Sequence, residues 1–200
     1  MKKLTISTLF AAVVIALGSI GAFAQGSDRT TFTGTVLSYG SGFNTRTTTG
    51  SFTLNLTGVT SDDDAKRYLG ILQDDGQDKL LDAIRKNDLG NFALSGRIGR
   101  ALNGVRIDDV GGKKRIRIIF ERWLGTAELR NGYRSIDYPF GYIELVVDPI
   151  TGKGDGTYIA AARIRMKTDK KTGAEVVEIE DFATFPSKLM GVMMRGRKLP

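Results

Sequence analysis

The sequence predicts an α+β fold that is mostly antiparallel β: a single meander-type barrel, or a two-sheet sandwich, of eight or nine strands with one inserted helical hairpin. Two turns of the form Asp-x-x-Thr-Gly, at 148–152 and 169–173, join three segments in which apolar and polar residues alternate. Two tighter turn signals stand at 103–104 (Asn-Gly) and 111–112 (Gly-Gly). Between 61 and 90 the apolar residues change to the spacing of a helix.

The two Asp-x-x-Thr-Gly turns predict a register for a three-stranded meander over 140–182. If each Asp pairs with the residue after its Gly, Ile164 faces Ile179 and Arg165 faces Glu178. Apolar side chains then meet on one face and opposite charges meet on the other, as an antiparallel sheet with one buried face requires. The same reasoning predicts that one face of strand 156–167 is formed by Tyr158, Ala160, Ala162, Ile164 and Met166.

A helical hairpin is predicted as an insert over 61–90. Ser61 is a good N-cap, and three aspartates follow it in the first turn, where carboxylates favour the helix dipole. Strand 140–148 carries apolar residues on both faces, so the face of Phe140 and Tyr142 needs a cover, either this hairpin or another sheet.

The remaining strands are predicted from alternation and from the tighter turns. Segments 94–102 and 105–110 form a hairpin around Asn103-Gly104, and the Gly-Gly turn leads into 113–123. Further strands are predicted at 30–39, 51–60 and 189–194, with an irregular or briefly helical segment at 124–135.

Residues 1–24 have the pattern of a secretory signal peptide: a basic start, an apolar run from Leu4 to Leu17, and Ala-Phe-Ala at 22–24. The run is shorter than a membrane-spanning helix, so we expect cleavage and no transmembrane segment afterwards. The mature chain is then one β-rich domain, 25–200, with a frayed basic tail at 195–200. Export to the periplasm or the outside of the cell is expected, and the lack of cysteine excludes a lipoprotein.

The amino-acid composition excludes several kinds of catalytic and metal site. The chain has no Cys and no His, which removes thiol nucleophiles, Ser-His pairs and the usual zinc ligands. We therefore expect no cofactor and no metal, and a protein that is not an enzyme. The remaining enzymatic route is a pair of carboxylates, for which Glu121, Glu128, Asp137 and Glu144 are the candidates.

A candidate binding site is predicted where aromatic residues alternate with arginines. Its residues are Arg122, Trp123, Arg130, Tyr133, Arg134, Tyr138 and Tyr142. Aromatic faces beside guanidinium groups hold sugars and anionic head groups, by stacking and by bidentate hydrogen bonds. The net charge of +7 agrees with an acidic partner, and outside the cytoplasm an envelope polymer is a better candidate than a nucleic acid.

Three functional hypotheses follow. The first is an exported, non-catalytic domain that binds either an acidic envelope component or a small ligand. The second is a carrier of a small lipid-like ligand, with an interior cavity lined by the Tyr158 to Met166 face. The third is a carboxylate-based glycan hydrolase, which needs two acids in one cleft beside Trp123.

Overall fold

The structure is a computed structural model that describes residues 29–40, 46–131, 133–170, 173–183, 185–196 and 199. The signal peptide expected at 1–24 lies outside these residues. Within them, no helix has the length and apolar character needed to cross a membrane.

The described residues form ten strands, three α-helices and one 3-10 helix. The strands are β1 (Thr30–Ser38), β2 (Thr48–Leu56), β3 (Gly90–Leu94), β4 (Arg100–Ala101), β5 (Gly104–Val110), β6 (Lys113–Glu121), β7 (Phe140–Val147), β8 (Lys153–Thr168), β9 (Glu175–Asp181) and β10 (Ser187–Gly196). The helices are α1 (Asp62–Asp74), α2 (Gln77–Ile84), α3 (Thr126–Asn131) and the 3-10 helix (Arg134–Asp137).

All ten strands belong to one sheet in which every pairing is antiparallel. The order is β4-β3-β2-β1-β10-β8-β7-β6-β5, and β9 pairs with the second half of β8. The mostly antiparallel β fold is therefore confirmed. The ladder is not closed between its end strands β4 and β5, although only Leu102 and Asn103 separate them along the chain.

One face of the sheet surrounds the main core. The ring of Phe92 on β3 lies with its centroid 5.8 Å from that of Phe120 on β6 and 5.2 Å from that of Tyr158 on β8, although these strands are not neighbours in the ladder. The sheet therefore curves back on itself. Its most deeply buried core side chains are Phe32, Leu54, Leu102, Ile116, Ile118, Ile143, Leu145, Val147, Leu189 and Val192.

A second core lies on the opposite face of β7 and β8, beneath the helical hairpin α1–α2. Phe140 and Tyr142 are buried there against Leu72, Leu80 and Ile84 from the two helices. The helical hairpin is therefore the cover that the face of Phe140 and Tyr142 was predicted to need. The predicted N-cap is also present, because the Ser61 hydroxyl accepts a hydrogen bond from the Asp64 N–H at 3.1 Å.

The register predicted for the meander is confirmed. Ile164 pairs with Ile179, and Arg165 pairs with Glu178. At the first turn the Gly152 N–H donates to the Asp148 carbonyl at 2.8 Å, and Gly152 has a φ of 68°, which its lack of a Cβ permits.

One face of β8 was predicted wrongly, because the strand contains a bulge. Tyr142 pairs with Ile159 but Phe140 pairs with Ala162, so β8 has one extra residue between these pairs. The extra residue exchanges the two faces. Tyr158 packs against the main core, whereas Ala162 and Ile164 pack beneath the helices.

The hairpin predicted at Asn103-Gly104 is also wrong. A two-residue turn of that type needs positive φ, and Gly104 is not among the glycines with positive φ. The predicted strand 94–102 is instead broken into β3, a turn at 95–99, and β4. The chain then crosses from one end of the sheet to the other, and the Asn103 N–H donates to the Ile119 carbonyl at 3.0 Å.

The end of the chain is partly paired. Arg195 and Gly196, at the start of the tail for which fraying was predicted, belong to β10 and pair with Thr31 and Thr30 of β1. With β3, β4 and β10 all present, the described residues contain ten strands against the eight or nine predicted.

Candidate functional site

A basic pocket opens at one end of the main core, where the 95–99 turn, the end of β6 and the bulged part of β8 meet. We call it the arginine pocket. Its volume of about 420 Å³ is in the range of small-ligand sites. It is lined by Phe92, Leu94, Arg97, Ile98, Arg100, Phe120, Arg122, Trp123, Tyr158 and Ala160.

Three aromatic rings belonging to the main core line this pocket. They are the rings of Phe92, Phe120 and Tyr158, whose contacts bring β3, β6 and β8 together. Burial raises the pKa of the Tyr158 hydroxyl. Within the described part of the chain no side chain or backbone group hydrogen-bonds that hydroxyl, so it is available to a ligand.

The charged residues that line the pocket are three arginines, and no carboxylate lines it within the described residues. Arg97 and Arg100 make no ion pair with any residue that the structure describes. The Arg100 guanidinium lies 4.4 Å from the centroid of the Trp123 ring, and 70% of the tryptophan surface is exposed. The indole is therefore supported by a cation–π contact while most of its surface faces solvent.

Arg122 is fixed by hydrogen bonds to the segment that follows it. Its Nε donates to the Tyr138 carbonyl at 2.6 Å, and one Nη donates to the Ser135 carbonyl at 2.7 Å. The same Nη lies 3.0 Å from Glu128 Oε1. These bonds use most of the guanidinium, so Arg122 shapes the pocket wall and contributes charge more than it offers free donors.

Glu128 is held as a carboxylate. The Ser135 hydroxyl, the Gly125 N–H and the Arg122 guanidinium all donate to it, in that order of influence, and lower its pKa to about 2. A carboxyl group in this state is a poor proton donor near neutral pH. Its hydrogen bonds instead fix the start of α3 relative to the 3-10 helix.

A second pocket of about 420 Å³ adjoins the arginine pocket and shares Leu94, Arg97, Tyr158 and Ala160 with it. We call it the hydroxyl pocket because Ser38, Tyr39, Thr48, Thr49, Ser51, Ser95 and Ser187 also line it. The ring of Phe185, which is 62% exposed, stands edge-on to Tyr39 at its rim. Together the two pockets form one continuous depression, the binding groove.

Asp181 is the acidic residue of the hydroxyl pocket lining. Its Oδ1 accepts a hydrogen bond from the Ala183 N–H at 2.9 Å, while its Oδ2 is buried and has no hydrogen-bond partner among the described residues. Burial raises the pKa of this carboxyl group. The negative charge near the groove is therefore partly withdrawn from solvent.

The structure brings only two of the seven predicted site residues, Arg122 and Trp123, into the groove. Tyr138 is buried, and its hydroxyl donates to Glu180 at 2.7 Å, which raises the pKa of the tyrosine. Tyr142 lies on the other face of the sheet, beneath the helical hairpin, and donates to Glu144 at 2.8 Å.

The other three predicted residues follow Trp123 in the chain but do not line the groove. Arg130, Tyr133 and Arg134 are exposed on α3 and at the start of the 3-10 helix. Closeness to Trp123 in the sequence therefore did not bring them into the groove.

Sequence reasoning missed Arg97 and Arg100 as site residues, and it named Tyr158 only within the face that would line the cavity of a carrier. The arginines were assigned to an unbroken strand, and Tyr158 to a continuous face of β8. A signal was present, because Ser95-Gly96 and Gly99 interrupt the strand pattern with residues typical of turns. Interpreting 95–99 as a turn would have placed two cations at an end of the sheet.

Among the described residues, no group of three acidic side chains has the arrangement of a metal site. Comparisons with family models, curated proteins and solved structures find no match for this chain.

Proposed function

We propose that this chain is an exported, non-catalytic binding protein that holds an acidic envelope polymer in the binding groove. The observation that carries the proposal is the pair Arg97 and Arg100, which line the groove beside the exposed indole of Trp123 without an ion-pair partner in the described residues. Such cations are available to the carboxylate or phosphate groups of an acidic glycan.

Physical chemistry supports a sugar acid over a purely apolar ligand. A guanidinium binds a carboxylate through two parallel hydrogen bonds, and an indole face stacks against the apolar face of a sugar ring. The hydroxyl pocket next to Arg97 provides the donors and acceptors that the hydroxyl groups of a neighbouring sugar need. The groove could thus hold an acidic unit and the next unit of the chain.

The form of the fold also favours ligand binding in a surface groove over binding in an interior cavity. We infer that the curved sheet acts as an incompletely closed barrel, whose interior is filled by side chains such as Phe32, Ile118 and Leu145. A carrier would need an empty interior lined by the Tyr158 to Met166 face, and the bulge in β8 divides that face. A hydrolase would need two acids in one cleft beside Trp123, and no carboxylate of the described residues lines the arginine pocket there.

Binding to a matched pair of glycans tests the proposal. We expect polygalacturonate to bind the purified protein and its fully methyl-esterified form, which has the same backbone without the charges, to bind at least tenfold more weakly. The charged complex should weaken as salt rises, because ion pairs near a protein surface are screened. Equal binding of the two glycans, or binding of neither them nor isolated envelope polymers at low salt, would contradict the proposal.

Three arginine variants locate the site. Arg97→Gln and Arg100→Gln should each weaken polygalacturonate binding about tenfold, the effect of losing one hydrogen-bonded charge. Arg67→Gln is the matched control, because Arg67 is an exposed arginine of α1 and does not line the groove. The same loss of affinity in all three variants would indicate attraction by net charge rather than a site.

A further inference from the structure

A separate apolar cleft lies between the helical hairpin and the outer face of the sheet. We call it the hairpin cleft. Its volume is about 220 Å³. Its walls come from α1, α2, β5 to β9 and the segment that precedes α1. They are formed by Thr60, Ala65, Tyr68, Leu69, Leu72, Leu80, Gly104, Val105, Arg106, Arg117, Ile119, Tyr142, Ile164, Val177 and Ile179.

The cleft is a recess with an apolar bottom and exposed apolar edges. Leu72, Leu80 and Ile164 are at most 5% exposed, whereas Leu69 on α1 is 44% exposed and Val177 on β9 is 46% exposed. Two aliphatic side chains of different elements therefore stand in water on the edges of the same recess. An apolar ligand between them would remove both from solvent.

The three hydroxyl groups of the lining already have partners, whereas the buried Nε of Arg117 has none among the described residues. The Tyr142 hydroxyl donates to Glu144 at 2.8 Å, and the Tyr68 hydroxyl accepts a hydrogen bond from Asn87 at 3.0 Å. The Thr60 hydroxyl accepts from the Val105 N–H at 2.9 Å. Away from Arg117, the part of a ligand that enters the cleft must therefore be free of polar groups, since such groups would lose their water without gaining a partner.

The charged side chains of the lining favour a ligand with an anionic head group, which would lie outside the cleft. The charged residues of the lining are Arg106 and Arg117, both cations. Arg106 lies 2.8 Å from Asp62, whose side chain is 79% exposed. An ion pair so open to water contributes only ~0–1 kcal/mol, so an incoming anion can share this guanidinium at little cost.

We propose that the hairpin cleft binds the alkyl chain of a single-chain anionic amphiphile, with the head group beside Arg106. The volume exceeds the roughly 150 Å³ of an apolar cavity that admits benzene, so one alkyl chain fits. This site is distinct from the binding groove and does not depend on the function proposed for it.

Titration of the purified protein with decanoate, below the concentration at which micelles form, tests the proposal. We expect decanoate to bind, and decyltrimethylammonium, which carries a chain of the same length on a cationic head group, to bind at least fivefold more weakly. No saturable decanoate binding would overturn the proposal. Equal binding of both amphiphiles would overturn the assignment of an anionic head group.

Neighbouring valines of β9 provide a matched control. Val177 lines the cleft, whereas Val176 is similarly exposed at 41% but points to the other face of the strand and is not part of the lining. We expect Val177→Gln and Leu69→Gln each to weaken decanoate binding about fivefold, in proportion to the apolar area lost. Val176→Gln should leave the affinity unchanged.

Two further measurements distinguish binding in the hairpin cleft from binding in the groove and from dimerisation. The Arg97→Gln variant should bind decanoate normally, since Arg97 belongs to the binding groove; a loss there would place the amphiphile in the groove instead. Sedimentation should give the same mass for the unchanged protein and for Val177→Gln. A dimer that disappears in this variant would show that the cleft is covered by a second copy, contrary to the proposal.

Discussion

Asn103 connects the two ends of the sheet through its side chain. Its Nδ2 donates to the carbonyls of Asn87 at 2.9 Å and Arg85 at 3.3 Å, and its Oδ1 accepts a hydrogen bond from the Glu121 N–H at 2.8 Å. The residue is only 3% exposed. A residue that the sequence suggested as a turn therefore satisfies three partly buried backbone groups where the ladder is open.

We expect Asn103→Ala to lower the free energy of unfolding by about 3 kcal/mol, because one N–H and two carbonyls that are partly shielded from water lose their partner. Denaturant unfolding measures this. Asn91→Ala makes the same chemical change at an exposed position and should cost less than ~0.5 kcal/mol. Similar losses in the two variants would mean that the Asn103 side chain does not stabilise the crossing.

The stability of the fold should depend on pH through Glu128. Its pKa is about 2 in the folded chain, below the ordinary value of 4.5, so its contribution to stability is complete above about pH 4.5 and disappears as the pH falls towards 2. We expect Glu128→Gln to be less stable at pH 7 by about 1 kcal/mol, a modest value because the site is partly open to water. The difference between the two proteins should shrink between pH 4.5 and 2, and a difference independent of pH would refute this.

At the scale of the element, the register of the β8–β9 hairpin was predicted correctly because residues close together in the sequence determine it. A turn motif sets the register, and the register then explains every facing pair of β8 and β9. The bulge in β8 could not be inferred in this way. An extra residue leaves the alternation of Tyr158, Ala160, Ala162 and Ile164 unchanged in the sequence, and only the partner strand β7 reveals it.

The two faces of β8–β9 should respond differently to substitution. Ile164 is 3% exposed beneath the helices, so Ile164→Asp buries a charge without a partner and should prevent folding. Glu178→Lys removes contacts with Arg165 and Lys167 on the face opposite Ile164, and should lower the Tm by only a few degrees. Comparable shifts in thermal unfolding would show that the faces are assigned wrongly.

Two Gly→Ala substitutions should change the stability of the protein in opposite directions. A Cβ at Gly90, where φ is 135°, would overlap the Asn55 carbonyl of the neighbouring strand, so Gly90→Ala should destabilise the protein by about 3 kcal/mol or more. Gly70 lies within α1 with open space around it, and Gly70→Ala should stabilise by about 1 kcal/mol through helix propensity. Chemical denaturation of the two variants measures both effects, and changes of the same sign would contradict the pair.

At the scale of the molecule, β10 lies in the interior of the sheet order, between β1 and β8. Sequence analysis predicted a strand at 189–194 but could not assign its neighbours. Such pairings join residues as distant as Thr30 and Gly196, and no local pattern specifies them. The same is true of the binding groove, whose residues come from strands far apart in the chain and meet only when the sheet curves.

Removing 187–200 should therefore unfold the whole chain. Loss of β10 exposes the facing edges of β1 and β8 and removes the buried side chains of Leu189 and Val192 from the main core. Circular dichroism in the near ultraviolet should show no fixed tertiary structure in the truncated protein. A cooperative thermal transition in that protein would mean that the rest of the sheet folds independently.

The position of β10 also has a consequence for biosynthesis. A ribosome adds residues at about 5–20 per second, and β10 is made after every other strand of the sheet, so β1 waits without this partner for most of the synthesis time. The chain should then remain extended until its last strand emerges. A polypeptide that cannot fold early stays thin enough to pass through a narrow protein channel, so this strand order is compatible with the export that we propose.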